Sequence, residues 1–244
     1  MRKEGRQNDQ LRPVTITPGF VEMPAGSALI EMGQTRLICT ASVENRLPAW
    51  LHQAQLKQSD KSGWVTGEYS ILPGAGPSRT PREATRGRKS GRTYEIQRLI
   101  GRSLRAVADL NKIGPRTIWI DCDVVEADGG TRTAAITGGY VALRLALRDL
   151  LDRGVIEEDP ILDSLAAVSV GIVDGEAMLD LNYDEDSRAD VDLNLVMTGK
   201  GEIVEVQATA EKISFPRDRL EEMVSLGAVG IEELLEIQEA ALSK

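Results

Sequence analysis

The chain has 244 residues, 41% hydrophobic and 27% charged, with a formal net charge of −9. That is the composition of a folded protein of one large domain or two small ones, and it excludes disorder along the whole chain. No apolar run approaches the ~18 residues of a membrane span, so no membrane association is expected. The start, Met1-Arg2-Lys3-Glu4-Gly5-Arg6, leads into polar sequence and not into a signal-peptide core. Cys39 and Cys122 are the only cysteines and His52 is the only histidine. Two cysteines make neither a disulfide framework nor a zinc site, and a cytoplasmic location suits them. Two-histidine metal centres are excluded, and any Ser-His-Asp or Cys-His mechanism would have to use His52. Carboxylates, arginines, backbone amides and a hard metal are the chemistry left.

In chain order, residues 14–17, 28–32 and 35–40 read as strands, the last two around a Gly33-Gln34 turn. Residues 52–62 are polar and unpatterned and read as a surface loop that carries His52. A strand at 64–72 follows, then a long loop at 73–91, too rich in Pro and Gly for a helix of any length. A helix is predicted over about 93–110, with Ile96, Leu99, Ile100 and Leu104 on one side and Arg98, Arg102 and Arg105 on the other. Thr93 is its expected cap, and Glu95 suits the positive end of its dipole. Residues 117–125 alternate as a strand. A second helix spans about 134–153 and stops at Gly154. Strands at 166–173, 177–183, 191–198 and 203–209 come next, then helices near 217–226 and 231–242. Strand groups alternate with helices and no linker divides them. The expectation is one mixed-sheet α/β domain over 1–244, with an N-terminal part at about 11–155 and a C-terminal part at about 161–242.

Charge is unevenly spread. Residues 79–105 hold nine basic residues against Glu83 and Glu95, a local +7 that leaves −16 on the rest of the chain. Local field decides what docks where. The loop members Arg79, Arg82 and Arg86 suit an RNA backbone, and the helical stripe Arg98, Arg102 and Arg105 suits an interface or a solvated face. Aromatic residues are 4% of the chain, so base stacking is not the main mode of this segment.

Three motifs bear on chemistry. Asp128-Gly129-Gly130-Thr131-Arg132 lies between a strand and a helix. It reads either as a tight connection with a solvated arginine or as an anion site made of helix-start amides, a hydroxyl and a guanidinium fork. Arg92, in Ser90-Gly91-Arg92-Thr93, sits at another helix start and reads either as an exposed loop residue or as the second of two arginines that clamp one phosphate. Asp184, Glu185, Asp186, Asp190 and Asp192 are five carboxylates within nine residues. They read either as a solvated acidic turn or as a cation site in which Asp186 and Asp192 meet across a bend at one Mg²⁺.

These residues resemble a known family, ribonuclease PH. Asp9-Gln10-Leu11-Arg12-Pro13, Gly63-Trp64-Val65-Thr66, the run Ser90 to Arg102, Asp121-Cys122-Asp123, Ala127 to Thr133, Ser169 to Gly175 and Asp180-Leu181-Asn182-Tyr183 all look like family blocks in family order. The resemblance implies an α+β, mixed-sheet, two-layer fold shared with polynucleotide phosphorylase and exosome ring subunits, and related to the second domain of a small-subunit ribosomal protein. It implies a phosphate-dependent 3′→5′ exoribonuclease (a phosphorolytic tRNA nucleotidyltransferase) that trims tRNA precursors and other RNA 3′ ends. Arg92, Gly130, Thr131 and Arg132 match the phosphate positions. Asp186 and Asp192 match the catalytic carboxylates that hold Mg²⁺ or Mn²⁺, with inorganic phosphate as co-substrate. Arg79 and Arg82 match arginines that hold the tRNA acceptor end. A homohexamer, a trimer of dimers, is implied as well. Two departures stand out: Gly74 replaces a usual arginine, and the segment 51–62 is longer than the family's short turn. The rival readings are a non-catalytic RNA-binding ring subunit and a metal-dependent phosphotransferase of small molecules.

Overall fold

The structure, a computed structural model, describes residue 2 and residues 5–55, 62–211 and 214–243. A five-stranded sheet comes first: β1 (Val14–Pro18), β2 (Gly26–Met32), β3 (Thr35–Glu44), β4 (Trp64–Ile71) and β5 (Thr117–Glu126), in spatial order β1-β2-β3-β5-β4. Only the β4–β5 pair is parallel. The second sheet holds β6 (Leu165–Val173), β7 (Glu176–Leu179), β8 (Val191–Thr198) and β9 (Ile203–Ala210), ordered β7-β6-β8-β9 and antiparallel throughout. This is the mixed α/β arrangement that the alternation of elements predicts.

Helix α4 (Thr131–Asp152) lies on β2, β3 and β5 of the first sheet and on β6 of the second, so its surface is apolar nearly all round. Gly138 and Gly139 let it approach. A Cβ on Gly138 would sit 2.7 Å from Ile30 and 2.9 Å from the Cys39 sulfur. Cys39 and Cys122, cross-strand neighbours, are fully buried under this helix and serve packing.

Local structure departs from the sequence reading at five places. Residues 49–55 form helix α1 (Ala49–Gln55), so His52 is helical; Pro48 accepts the first turn's N–H groups, and Trp50 packs edge-to-face on Trp64 at 5.0 Å. Tertiary contact overrides the weak local pattern here, and the rest of that predicted loop, 56–61, lies outside the described residues. Second, the long loop contains one tight 3₁₀ turn, Glu83–Arg86. Third, α2 runs Gly91–Ala106, and its cap is Ser90, whose hydroxyl accepts the Thr93 N–H; a short α3 (Leu110–Ile113) follows. Fourth, β7 ends at Leu179 because Asp180 turns to φ 52°, and Tyr183 opens a short helical turn, α5 (Tyr183–Asp186).

The fifth difference is α6 (Arg217–Leu242), one continuous helix where two are predicted. Gly227 and Gly230 read as a break. In the fold they are close contacts: a Cβ would come within 2.7 Å of Leu195 at Gly227 and 2.8 Å of Leu179 at Gly230. Packing on the second sheet offsets the ~1 kcal/mol that each glycine costs a helix. The arginine stripe of α2 is also largely used up inside the chain. Arg102 makes a bidentate pair with Glu205 of β9 at 2.6 Å, and Arg105 lies 4.1 Å over the Trp64 ring and donates to the Val65 carbonyl.

Gly138→Ala should destabilise the protein by about 1–3 kcal/mol, because neither Ile30 nor Cys39 can retreat within the sheet. A chemical denaturation curve measures this. A midpoint equal to the parent's would mean that α4 does not sit this close.

Candidate active site at the junction of the two sheets

The first half contributes cations and a glycine-rich helix start. At the entry to α4, Gly129 and Gly130 take φ 78° and 67°, which leaves the amides of the first α4 turn uncapped by any side chain. The Thr131 hydroxyl is held by the Tyr69 O–H at 2.8 Å. Burial raises the Tyr69 pKa, while the Thr131 bond and the charges of Arg92 and Arg132 pull it back. Arg132 is steered by two acceptors, Glu95 of α2 at 3.0 Å and Gln207 of β9 at 3.1 Å. Arg92, in the first turn of α2, is exposed, and its guanidinium makes no hydrogen bond or ion pair among the described residues.

The second half contributes carboxylates. Asp186 ends α5, whose start is a capping box between Asn182 and Glu185. Asp192, the second residue of β8, lies on the face it shares with Asn194, whose amide donates to it at 3.3 Å. The two acids lie close enough that the charge on Asp186 helps raise the Asp192 pKa.

Electrostatics brings the two halves together. Burial raises the Asp186 pKa; Arg92 and Arg132 both oppose that rise, and Glu211 adds to it. Burial is also the largest cause of the shift at Asp192, pushed up to about 6, with Asp186 reinforcing and Arg132 opposing. Arg92, Arg132, Asp186 and Asp192, predicted from separate stretches of sequence, thus share one field. Gly130 and Thr131 adjoin them. Arg79 and Arg82 are exposed on the loop that leads to α2, and the Arg82 charge reaches Asp123 of β5. The backbone of Arg86 lies in the 3₁₀ turn of that loop; its side chain is outside the described residues.

Several contributors were invisible as site residues in the sequence: Tyr69, Gln207, Asn194 and Glu211. Each sits in a strand or at its end, where strand patterning was the only signal. Glu95 read as a partner of the α2 dipole and also orients Arg132.

The carboxylate pair suits a hard divalent ion. Its donors are oxygens; desolvation makes both acids costlier to ionise, and the charge of Asp186 adds to the cost at Asp192. No group of three or more acidic, cysteine or histidine side chains converges among the described residues. An ion here would therefore complete its shell with water and substrate oxygens, as Mg²⁺ does with one or two carboxylates.

A raised folded pKa means that the neutral form of Asp192 is favoured in the fold. Its contribution is intact below about pH 4 and is lost as pH rises through about 6. In EDTA, Asp192→Asn should therefore be more stable than the parent at pH 8, by roughly 1–3 kcal/mol, and equal to it near pH 4. Thermal melts at the two pH values measure the difference. Equal stability at pH 8 would show that Asp192 is not buried against Asp186.

Family models for a 3′ exoribonuclease family match this chain twice: the domain 1 model over residues 10–148 and the domain 2 model over residues 163–230. The ribonuclease PH of Syntrophomonas wolfei is 54% identical, covering 99% of this chain and 98% of that protein. The ribonuclease PH of Bacillus velezensis is 52% identical, covering 100% and 98%. Among solved structures, rice Rrp46 superposes with a TM-score of 0.77 at 18% identity, over 99% of this chain and 100% of that one. A chain of the Archaeoglobus fulgidus exosome with RNA bound to the active site superposes with a TM-score of 0.76 at 22% identity, over 96% and 91%. Those two share the fold. No helix among the described residues is long and apolar enough to cross a membrane. With both family models matched and more than half of its residues identical to full-length relatives, the chain belongs to the 3′ exoribonuclease family, in its ribonuclease PH branch.

Proposed function

We propose that the Arg92–Arg132–Asp186–Asp192 site performs phosphorolysis at the 3′ end of RNA, and that tRNA precursors are its main substrate. The observation that carries the assignment is one shared field: two arginines beside a Gly-Gly-Thr helix start, facing two carboxylates of raised pKa. Attacker and target are both anions, so the enzyme must hold like charges together in line. Arg92, Arg132 and the amides at 130–132 bind inorganic phosphate and aim one of its oxygens at the last phosphodiester. That oxygen forms the new P–O bond. The bond to the ribose 3′-oxygen breaks, and the 3′-oxygen takes up a proton. The products are a nucleoside 5′-diphosphate and an RNA shorter by one. The bond energy is nearly conserved, so nucleotide addition from diphosphates is the reverse reaction. Asp186 and Asp192 would hold Mg²⁺ or Mn²⁺, which would supply positive charge for the phosphorus and the leaving oxygen. No protein nucleophile is required.

Arg79, Arg82 and Arg86 would grip the RNA backbone upstream of the site, within a homohexamer built as a trimer of dimers. A non-catalytic ring subunit has no use for the free Arg92 guanidinium or for two carboxylates of raised pKa beside it. That reading is not favoured. A small-molecule phosphotransferase would need a loop that cradles a nucleotide, and the basic loop at 72–90 is instead exposed and open.

The central test mixes the protein with a 3′-extended tRNA and Mg²⁺, with and without phosphate. Nucleoside diphosphates should appear only with phosphate; monophosphates as the sole product would refute phosphorolysis. In the same assay Arg92→Ala should raise the phosphate KM roughly ten- to a hundredfold, the equivalent of a bidentate charge-assisted contact of about 1.5–3 kcal/mol, and leave RNA affinity nearly unchanged.

For the loop, Arg79→Ala and Arg82→Ala should each weaken tRNA binding. Each should also flatten the dependence of log Kd on log salt by about 0.7–0.9. Fluorescence titrations at three salt concentrations check this. An unchanged slope in both variants would remove the loop from the RNA path.

A further inference from the structure

Two motifs noted in the sequence, Asp9 to Pro13 and Asp180 to Tyr183, have no part in the reaction as described, yet they meet. The Arg12 guanidinium, fully buried, is bidentate on the Asp180 carboxylate, at 2.9 Å from Nε and 2.7 Å from Nη2. The Arg12 backbone N–H donates to the same carboxylate at 2.8 Å. Its other edge faces the phosphate loop: Nη1 donates to the Asp128 carbonyl, and Nη2 approaches the Gly129 carbonyl at 3.4 Å. One planar group therefore ties Asp180, which leads into α5, to the loop that leads into α4.

The two segments are in direct backbone contact. A Cβ on Gly129 would lie 2.5 Å from the Leu181 carbonyl, and the Tyr183 N–H donates to the Asp128 carboxylate at 3.2 Å. The carboxylate turn is anchored from behind as well. Arg2 is bidentate on Glu185, the neighbour of Asp186, at 2.7 and 2.6 Å. Arg2 and Arg6 also donate to the Asp180 carbonyl at 3.0 and 3.2 Å.

We propose that Arg12 is a positioning residue: bridging Asp180 to the Asp128 and Gly129 carbonyls, it fixes the distance between the phosphate loop and the carboxylate turn. This rests on the phosphorolytic reading of the site. It concerns kcat more than phosphate binding, because each half keeps its own binding groups and only their separation changes. A misplacement of about 1 Å between reacting groups costs on the order of a hundredfold in rate. Lysine at position 12 keeps the charge, but a single ammonium cannot span both partners.

In Arg12→Lys and Asp180→Asn, kcat should fall about ten- to a hundredfold, while the phosphate KM and the RNA KM stay within about threefold of the parent. Ile113→Ala, a buried change in α3, supplies a control that loses stability away from both segments. A kcat within about twofold of the parent in folded Arg12→Lys would overturn the proposal. So would a fall no larger than that of the control at matched melting temperature. A second readout needs neither catalysis nor folded variants. By hydrogen exchange in the parent without ligand, segments 8–13, 126–133 and 179–186 should open as one unit with one denaturant dependence. Three separate openings would overturn the proposal even if both variants fail to fold. A parent that yields no nucleoside diphosphate would instead refute the phosphorolytic reading and leave the exchange result to decide the linkage.

Discussion

A guanidinium and a carboxylate with no exposed surface, Arg12 on Asp180, lie where the two halves of this molecule meet. Burial alone would raise the Asp180 pKa. The charge and hydrogen bonds of Arg12, with the charge of Arg6, outweigh that and leave it lowered. Such a pair does not make the fold stable by itself, since desolvating two ions consumes most of their attraction. Its effect is to make every alternative worse. Removing either one leaves the other buried charge without its main partner, at a cost of up to about 3–5 kcal/mol. Asp180 is thereby held at φ 52°, a backbone conformation that non-glycine residues seldom adopt. From that turn follow the end of β7, the cap of α5 and the place of Asp186.

The same logic runs in reverse at the reacting centre. Around Asp180 the charges are matched and sealed. Around Asp186 and Asp192 they are left unmatched, with Arg92 open to solvent and two acids in each other's field. The proposed phosphorolysis, which would gather a phosphate ion, a phosphodiester and a divalent cation, would need charges of both signs kept available. Paired internally, they would have nothing to offer. Arg132 is the intermediate case: two acceptors orient its fork, and only one of them, Glu95, is charged.

Legibility in the sequence followed the range of the physics. Strand alternation and the apolar face of α2 are local, and they were read to within a few residues. The glycines of α6 carry a local signal for a break and a non-local role as close contacts, so the local signal misled. His52 sits in α1 because Trp50 finds Trp64, a contact that spacing along the chain does not announce. The candidate site residues stood out because residue type restricts chemistry: a chain with one histidine and two buried cysteines leaves arginines and aspartates. Tyr69 and Gln207 were not legible. Their part is to hold Thr131 and Arg132, and a supporting hydroxyl or amide in a strand looks like any other strand residue. The helical arginine stripe does face outward at Arg98 and Arg102, as charge patterning suggests, but Arg102 also pairs with Glu205, and Arg105 is spent on Trp64 and a carbonyl.

The uneven charge of the chain has the same origin as the site. The first sheet's half supplies Arg92 and Arg132, and the second sheet's half supplies Asp186 and Asp192. Neither half alone brings these arginines and these acids together. The basic segment at 79–105, a local +7, lies in the first sheet's half, beside a remainder of the chain that carries −16. Two like-charged clusters built on separate sheets each repel themselves, and each gains by facing the other. Docking the halves therefore relieves both clusters in part while it creates the gap between them. In that gap the residual positive field of the arginines would favour an anion, and the two acids of raised pKa would favour a cation.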